Sequence, residues 1–186
     1  MGPRESEATD VRVALLRGIN VGKAKRISMA ELKKVLEGLG YAEVRTLLNS
    51  GNVVFTVPGN RKEEPAGRIE EAILRRLGVS TRVIVLTKKE VKAIIRGNPL
   101  ARLADSPSRL LLMVLPHTAS AASLREVASR DWTPESIALE KRVAYLWCPG
   151  GIIKSRLIAA VNRVLKDAGT ARNIATMTKL HAMMDE

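Results

Sequence analysis

The sequence of 186 residues predicts an α+β fold made of two βαββαβ halves, each with an antiparallel sheet. Three observations carry this expectation. Short apolar runs and stretches of helical periodicity alternate in the order βαββαβ between Val11 and Leu86. The same order starts again at Leu110, behind a polar connector. The segments between elements are short and hold the Gly, Asn and Pro residues that turns require.

In the first half, Val11–Leu16 is a run of buried-strand character. Ser28-Met29-Ala30-Glu31 has capping-box spacing, so a helix is expected from Ser28. Met29, Leu32, Val35, Leu36 and Leu39 form its apolar face, and Gly38 and Gly40 suit its end. Val44–Leu48 and Asn52–Val57 read as strands joined by the turn Asn49-Ser50-Gly51-Asn52. Beyond Pro58-Gly59-Asn60 a second helix is expected, with Ile69, Ile73, Leu74 and Leu77 inward and Gly78 closing it. Thr81–Leu86 is a β-branched strand. This set matches the ferredoxin-like split βαβ pattern.

Lys88–Arg96 reads as a short helix stopped by Gly97-Asn98-Pro99, and Leu103–Arg109 as a polar connector. Leu110–Leu115 is a strand, and Ser120–Ser129 a helix with Leu124 and Val127 inward. Ser136–Glu140 and Val143–Cys148 are strands around the charged turn Lys141-Arg142. Ser155–Ala168 is an amphipathic helix with Leu157, Ile158, Val161, Val164 and Leu165 inward. No clear last strand follows; Gly169–Met184 is expected to begin as a polar loop and end as a helix. The expected organisation is a duplicated ferredoxin-like pair: a disordered N-terminus at 1–10, one half at 11–90, a connector at 91–109 and the other half at 110–186.

Composition narrows the function classes. No apolar run approaches the ~18 residues that span a bilayer, and the charged first ten residues contain no signal-peptide core. A cytoplasmic protein without membrane partners is expected. Cys148 is the single cysteine, which rules out an intrachain disulfide and suits a buried apolar role. His117 and His181 have no metal-spaced partner, so neither metal nor cofactor is expected. The net charge is +12, split equally between residues 1–90 and 91–186. Residues 17–26 hold four cations and no acid, and residues 154–179 hold six cations and one acid. Such surfaces attract phosphate-bearing partners.

The stretch Arg17-Gly18-Ile19-Asn20-Val21-Gly22-Lys23 lies in a strand-to-helix loop. Its glycines permit tight turns and close ligand approach, and its cations favour an anion. It is not a P-loop: three residues, not four, separate the glycines, and Ala24 follows the lysine. The helix start near Ser28 is expected to offer open N–H groups to the same anion. Asn49 and Asn52 are candidate hydrogen-bonding groups, although Asn and Gly also serve plain turns. Ser50 needs an activating base to be a nucleophile, and neither histidine sits in a triad motif. Arg172, with Asn173 and Lys179 nearby, can bind phosphate or carboxylate, or pair with a surface acid. The aromatic residues are too few for the base-stacking signature of RNA-recognition sheets, leaving charge-driven backbone binding.

Several of these motifs together resemble the bacterial family of domain of unknown function 1697. They are Arg17-Gly18-Ile19-Asn20-Val21-Gly22, Met29 and Leu32, and Ser50-Gly51-Asn52-Val53-Val54-Phe55. Asn98-Pro99, the Gly151 to Ser155 segment, and Thr170-Ala171-Arg172-Asn173 with Thr176 and Lys179-Leu180 extend the likeness. The family's closing pattern carries Trp and Asn where Ile174 and Ala175 stand here. The resemblance implies two ferredoxin-like halves and no established activity.

Three readings remain. The first is a module that binds a phosphorylated or nucleic-acid ligand through Arg17, Asn20, Lys23, Asn49, Ser50, Asn52, Arg172, Asn173 and Lys179. The second is an enzyme on a phosphorylated small molecule, with Lys23 or Ser50 reactive. The third is an interaction protein whose polar motifs are only turns.

Overall fold

The computed structural model describes residues 10–21, 25–59, 64–117, 119 and 121–186. The chain forms two compact units, one running through Lys88 and including Glu186, the other from Lys89 to Asp185.

In the first unit, β1 (Asp10–Leu16), β2 (Ala42–Leu47), β3 (Asn52–Val57) and β4 (Val83–Thr87) form an antiparallel sheet in the order β2-β3-β1-β4. Central β1 pairs with β3 on one side and β4 on the other. One face carries Ala14, Leu16, Val53, Phe55, Val57, Val83 and Val85 into a core with α1 (Met29–Glu37) and α2 (Pro65–Leu77). The alternating residues Val13, Leu15, Val54, Ile84 and Leu86 are buried too. Burial on both faces explains why these strands read as continuous apolar runs. A bulge in β2 between Ala42 and Arg45 places Glu43 at φ 49°, where its carboxylate accepts from the Thr56 hydroxyl at 2.8 Å.

The capping box at α1 forms as the spacing predicts, with Ser28 as N-cap and Glu31 reaching back. In α2, Pro65 stands in the first turn, and Gly78 ends the helix at φ 66°, its N–H donating to the Leu74 carbonyl. Leu74 is 51% exposed rather than inward. It lies about 140° around the helix from Ile69 at ~100° per residue, and Ala72 takes the buried position beside Ile73.

The second unit repeats the topology. Strands β5 (Leu110–Val114), β6 (Ser136–Glu140), β7 (Val143–Trp147) and β8 (Thr170–Asn173) lie in the order β6-β7-β5-β8. Strand β8 completes the half that the sequence leaves without a clear last strand. It pairs Thr170 to Asn173 with Val114 to Leu111. Its four residues include two polar side chains, Thr170 and Arg172, at buried positions, so no apolar run announces it. The helix expected at Ser120–Ser129 is a 3₁₀ turn, Ala121–Leu124, followed by one turn of α-helix, α4 (Arg125–Ala128); Ser120 lies outside the described residues. The small residues of this segment offer little surface to pack, and Ser competes for backbone hydrogen bonds. Leu124 and Val127 are buried as expected.

Helix α5 (Arg156–Leu165) buries Leu157, Val161 and Leu165 against the sheet core. Val164, at the edge of the apolar stripe in the last turn, is 43% exposed instead of inward. Helix α6 (Ile174–Met183) follows β8 directly. Helix α3 (Lys88–Arg96) is anchored in the second unit by apolar packing and by polar bonds. Val91 is fully buried. Glu90 pairs with Arg142 at 2.5 Å, and the Tyr145 hydroxyl donates to the Ile94 carbonyl at 2.7 Å.

Burial, with a smaller contribution from the Glu140 charge, pushes the Tyr145 phenol up to about 12. The neutral phenol is thus favoured in the fold. Its contribution to stability is complete below the unfolded value of 10.0 and is lost as pH rises toward about 12. In a Tyr41→Phe background, the ultraviolet titration of Tyr145 is expected to lie well above that of free tyrosine. Tyr145→Phe is expected to cost about 1 kcal/mol at neutral pH and to flatten the alkaline loss of stability. Denaturant unfolding across pH measures both effects.

Candidate functional site

The loop after β1 is held by its backbone before any ligand is considered. The Arg17 N–H donates to the Arg82 carbonyl, and the Arg17 carbonyl accepts from the Thr81 hydroxyl, both at 2.8 Å. Gly18 turns the chain at φ 63°, and Ile19 drops into the core. Asn20, at φ 56°, then closes the loop. Its amide donates to the carbonyls of Ile27 at 2.8 Å and Asn49 at 2.7 Å, and its side-chain oxygen accepts from the Ile27 N–H at 2.9 Å. Its own N–H donates to the Lys25 carbonyl at 3.0 Å. A side-chain amide has two donor hydrogens and one acceptor oxygen, and all are used here. Asparagine also tolerates the left-handed region better than other residues with a side chain.

The hairpin between β2 and β3 packs against the same loop. Gly51 sits at φ 76°, and its carbonyl accepts from the Leu16 N–H at 2.8 Å. A Cβ there would stand 2.7 Å from Leu16 Cβ and 2.8 Å from Ile19 Cδ1, so glycine is required on two counts. Asn52 is fully buried, and its amide donates to the Leu47 carbonyl at 2.9 Å and to Ser50 Oγ at 3.0 Å. The Asn52 amide thus stands beside the Ser50 hydroxyl.

Two of the sequence motifs thus come together in the first unit through the Asn20–Asn49 hydrogen bond. Around it Asn49, Ser50, Lys25 and Arg26 are exposed, and Arg17 is half-buried. Lys23 lies outside the described residues. Lys25 stands at φ 52° and Leu48 at φ 58°. In the sequence, Lys25 and Arg26 are legible only as part of a basic run. The start of α1 is less open than expected. Glu31 accepts from the Ser28 hydroxyl at 2.7 Å and the Ser28 N–H at 3.2 Å, and these bonds hold its carboxyl below its ordinary range. The helix therefore already has an anion at its positive end.

The third motif belongs to the second unit. Arg172 is 9% exposed on β8 and donates to Thr170 Oγ1 at 2.9 Å and the Ala171 carbonyl at 2.8 Å. Burial lowers its guanidinium to about 10, which leaves it cationic at neutral pH. The Asn173 side chain accepts from the Thr176 N–H at 2.8 Å and caps α6. Lys179 is exposed on that helix, and Ile174 and Ala175 are half-buried in its first turn. The start of α5 is closed likewise. Ser155 Oγ accepts from the Ile158 N–H, and Glu135 from the Leu157 N–H, both at 3.0 Å. Cys148 is buried and donates to Ser155 Oγ at 3.5 Å; burial pushes its thiol up. An open groove of about 310 Å³ between Arg125, Leu139 and Lys141 also carries Glu140, so its charge is mixed. Among the described residues no three His, Cys, Asp or Glu side chains group as metal ligands.

Asn20→Ala removes three hydrogen bonds and is expected to cost about 2–3 kcal/mol in urea unfolding. Gly51→Ala combines a left-handed backbone with a steric clash and is expected to cost about 2–4 kcal/mol. Cys148 is expected to resist thiol reagents in the native protein and to react at a rate that follows unfolding when urea is raised.

The family model described as protein of unknown function (DUF1697) matches residues 10–145. That span takes in the Arg17 loop and the Ser50 turn and stops before Arg172. The conserved bacterial protein SP0830 from Streptococcus pneumoniae has a similar structure, with a TM-score of 0.78 and 22% sequence identity. The alignment covers 96% of this chain and 100% of that one, and the likeness is one of fold. No curated protein matches the sequence. The matched span holds the whole sheet of the first unit and β5 and β6 of the second, about three quarters of the chain, and the chain belongs to the DUF1697 family.

Proposed function

We propose that this is a cytoplasmic protein that binds an anionic ligand, phosphorylated or nucleic acid, on the loop after β1 and the β2–β3 turn. One observation supports this reading above others: Asn20 fixes a loop that presents Lys25 and Arg26 to solvent beside Asn49 and Ser50. The hydrogen bonds of Asn20 to Lys25, Ile27 and Asn49 tie these residues together before a ligand arrives, which lowers the conformational cost of binding. No acidic residue occurs between Arg17 and Arg26 to oppose them.

In this reading Arg17, Lys23, Lys25 and Arg26 supply charge, and Asn49 and Ser50 supply hydrogen bonds. Asn20 and Asn52 are positioning residues. Arg172, Asn173 and Lys179 form a second set, with Lys179 as its exposed cation and the other two holding the start of α6.

The test is fluorescence anisotropy with a labelled oligonucleotide over a range of salt. Lys25→Ala/Arg26→Ala is expected to weaken binding about tenfold at low salt. It should also make the slope of log K against log salt shallower by roughly 1.4, because each neutralised phosphate of a single strand accounts for ~0.7. An unchanged affinity and slope would remove this loop from consideration.

A further inference from the structure

The loop after β1 and the β2–β3 turn each carry one exposed apolar side chain that anion binding does not use. Val21 is 73% exposed and Leu48 is 59% exposed. Each is the chain neighbour of a residue in the Asn20–Asn49 hydrogen bond, which joins the two segments. Burial does not explain either residue. Turn geometry does not explain Leu48, because φ 58° is a conformation that Gly or Asn adopts with less strain. The same two joined segments carry the exposed cations Lys25 and Arg26 and two exposed polar residues, Asn49 and Ser50.

We infer that the ligand is single-stranded nucleic acid, with a base lying against Val21 and Leu48 and the adjoining phosphates on Lys25 and Arg26. This rests on the anion-site reading above and adds the chemical class. A sugar phosphate has no apolar face to place on such a pair. A duplex keeps its base faces stacked inside. A single strand offers both a flat apolar base and a charged backbone at the spacing of one nucleotide. Asn49 and Ser50 supply donors and acceptors for a base edge. All these groups are exposed on a turn, which suits a polymer lying across a surface; small free ligands are held in concave pockets. Aliphatic contacts are weaker than aromatic stacking and do not distinguish bases, so binding is sequence-tolerant.

The experiment compares three labelled probes of equal length: an oligothymidylate, an abasic strand with the same backbone, and a duplex. The oligothymidylate is expected to bind at least about fivefold tighter than the other two. Val21→Ser/Leu48→Asn should bring it to the level of the abasic strand, leave abasic binding unchanged, and keep the thermal midpoint at or above that of the native protein. Asparagine is chosen because it accepts the left-handed backbone. Equal binding of oligothymidylate and abasic strand, or no effect of the double substitution, overturns the base contact while the anion site stands. Duplex binding as tight as that of the strand overturns the single-strand preference. If Lys25→Ala/Arg26→Ala changes none of the three, the underlying anion reading fails as well.

Discussion

One asparagine side chain sets the shape of the first unit's polar end. Asn20 joins the loop after β1 to the residue before α1 and to the hairpin between β2 and β3. Without it, the buried Ile27 backbone would lose partners for both its N–H and its carbonyl, and an unmet buried backbone group costs more than a hydrogen bond yields. The arrangement also explains why Gly51 cannot be larger. The hairpin must come close enough for its carbonyl to reach the Leu16 N–H, and at that distance Leu16 and Ile19 occupy the space of a side chain. The two motifs are thus one structural device in which each part limits the other.

A second constraint is the way helices begin. The starts of α1, α5 and α6 are closed by Ser28 with Glu31, Ser155 with Glu135, and Asn173. In α1 and α5 the closing group includes a carboxylate, which meets the positive end of the helix dipole from inside the protein. An outside anion gains little from these three helix starts, and the exposed cations of loops, such as Lys25 and Arg26, and of helix surfaces, such as Arg75 and Arg76, carry the positive charge instead.

Most of the fold is legible in the sequence because period and punctuation agree. Ser28 and Glu31 stand three apart, Gly78 closes its helix, and the β-branched runs have strand length. Strand β8 is not legible because Arg172 and Thr170 hold positions where apolar residues would signal a strand. Leu74 and Val164 are misplaced because an apolar residue near a helical face counts as inward in sequence, whereas a small shift in phase or a helix end exposes it. At the candidate site the residue types are legible but their work is not. Asn20, Asn52 and Asn173 look like ligand contacts in sequence, while their side chains hold backbone groups in the fold. For Asn20 the fold is needed to distinguish those roles, since one of its side chain's two partners, Asn49, lies 29 residues away.

Glu135 illustrates how such distant partners bind the second unit into a whole. It stands just before β6, yet it accepts from the first turn of α5, 22 residues further along the chain. The helix cannot complete its own beginning from local sequence alone. Its end frays or holds according to whether the strand segment is in place. The hydrogen bond thus couples the first turn of α5 to the segment before β6, so loosening either one weakens the other.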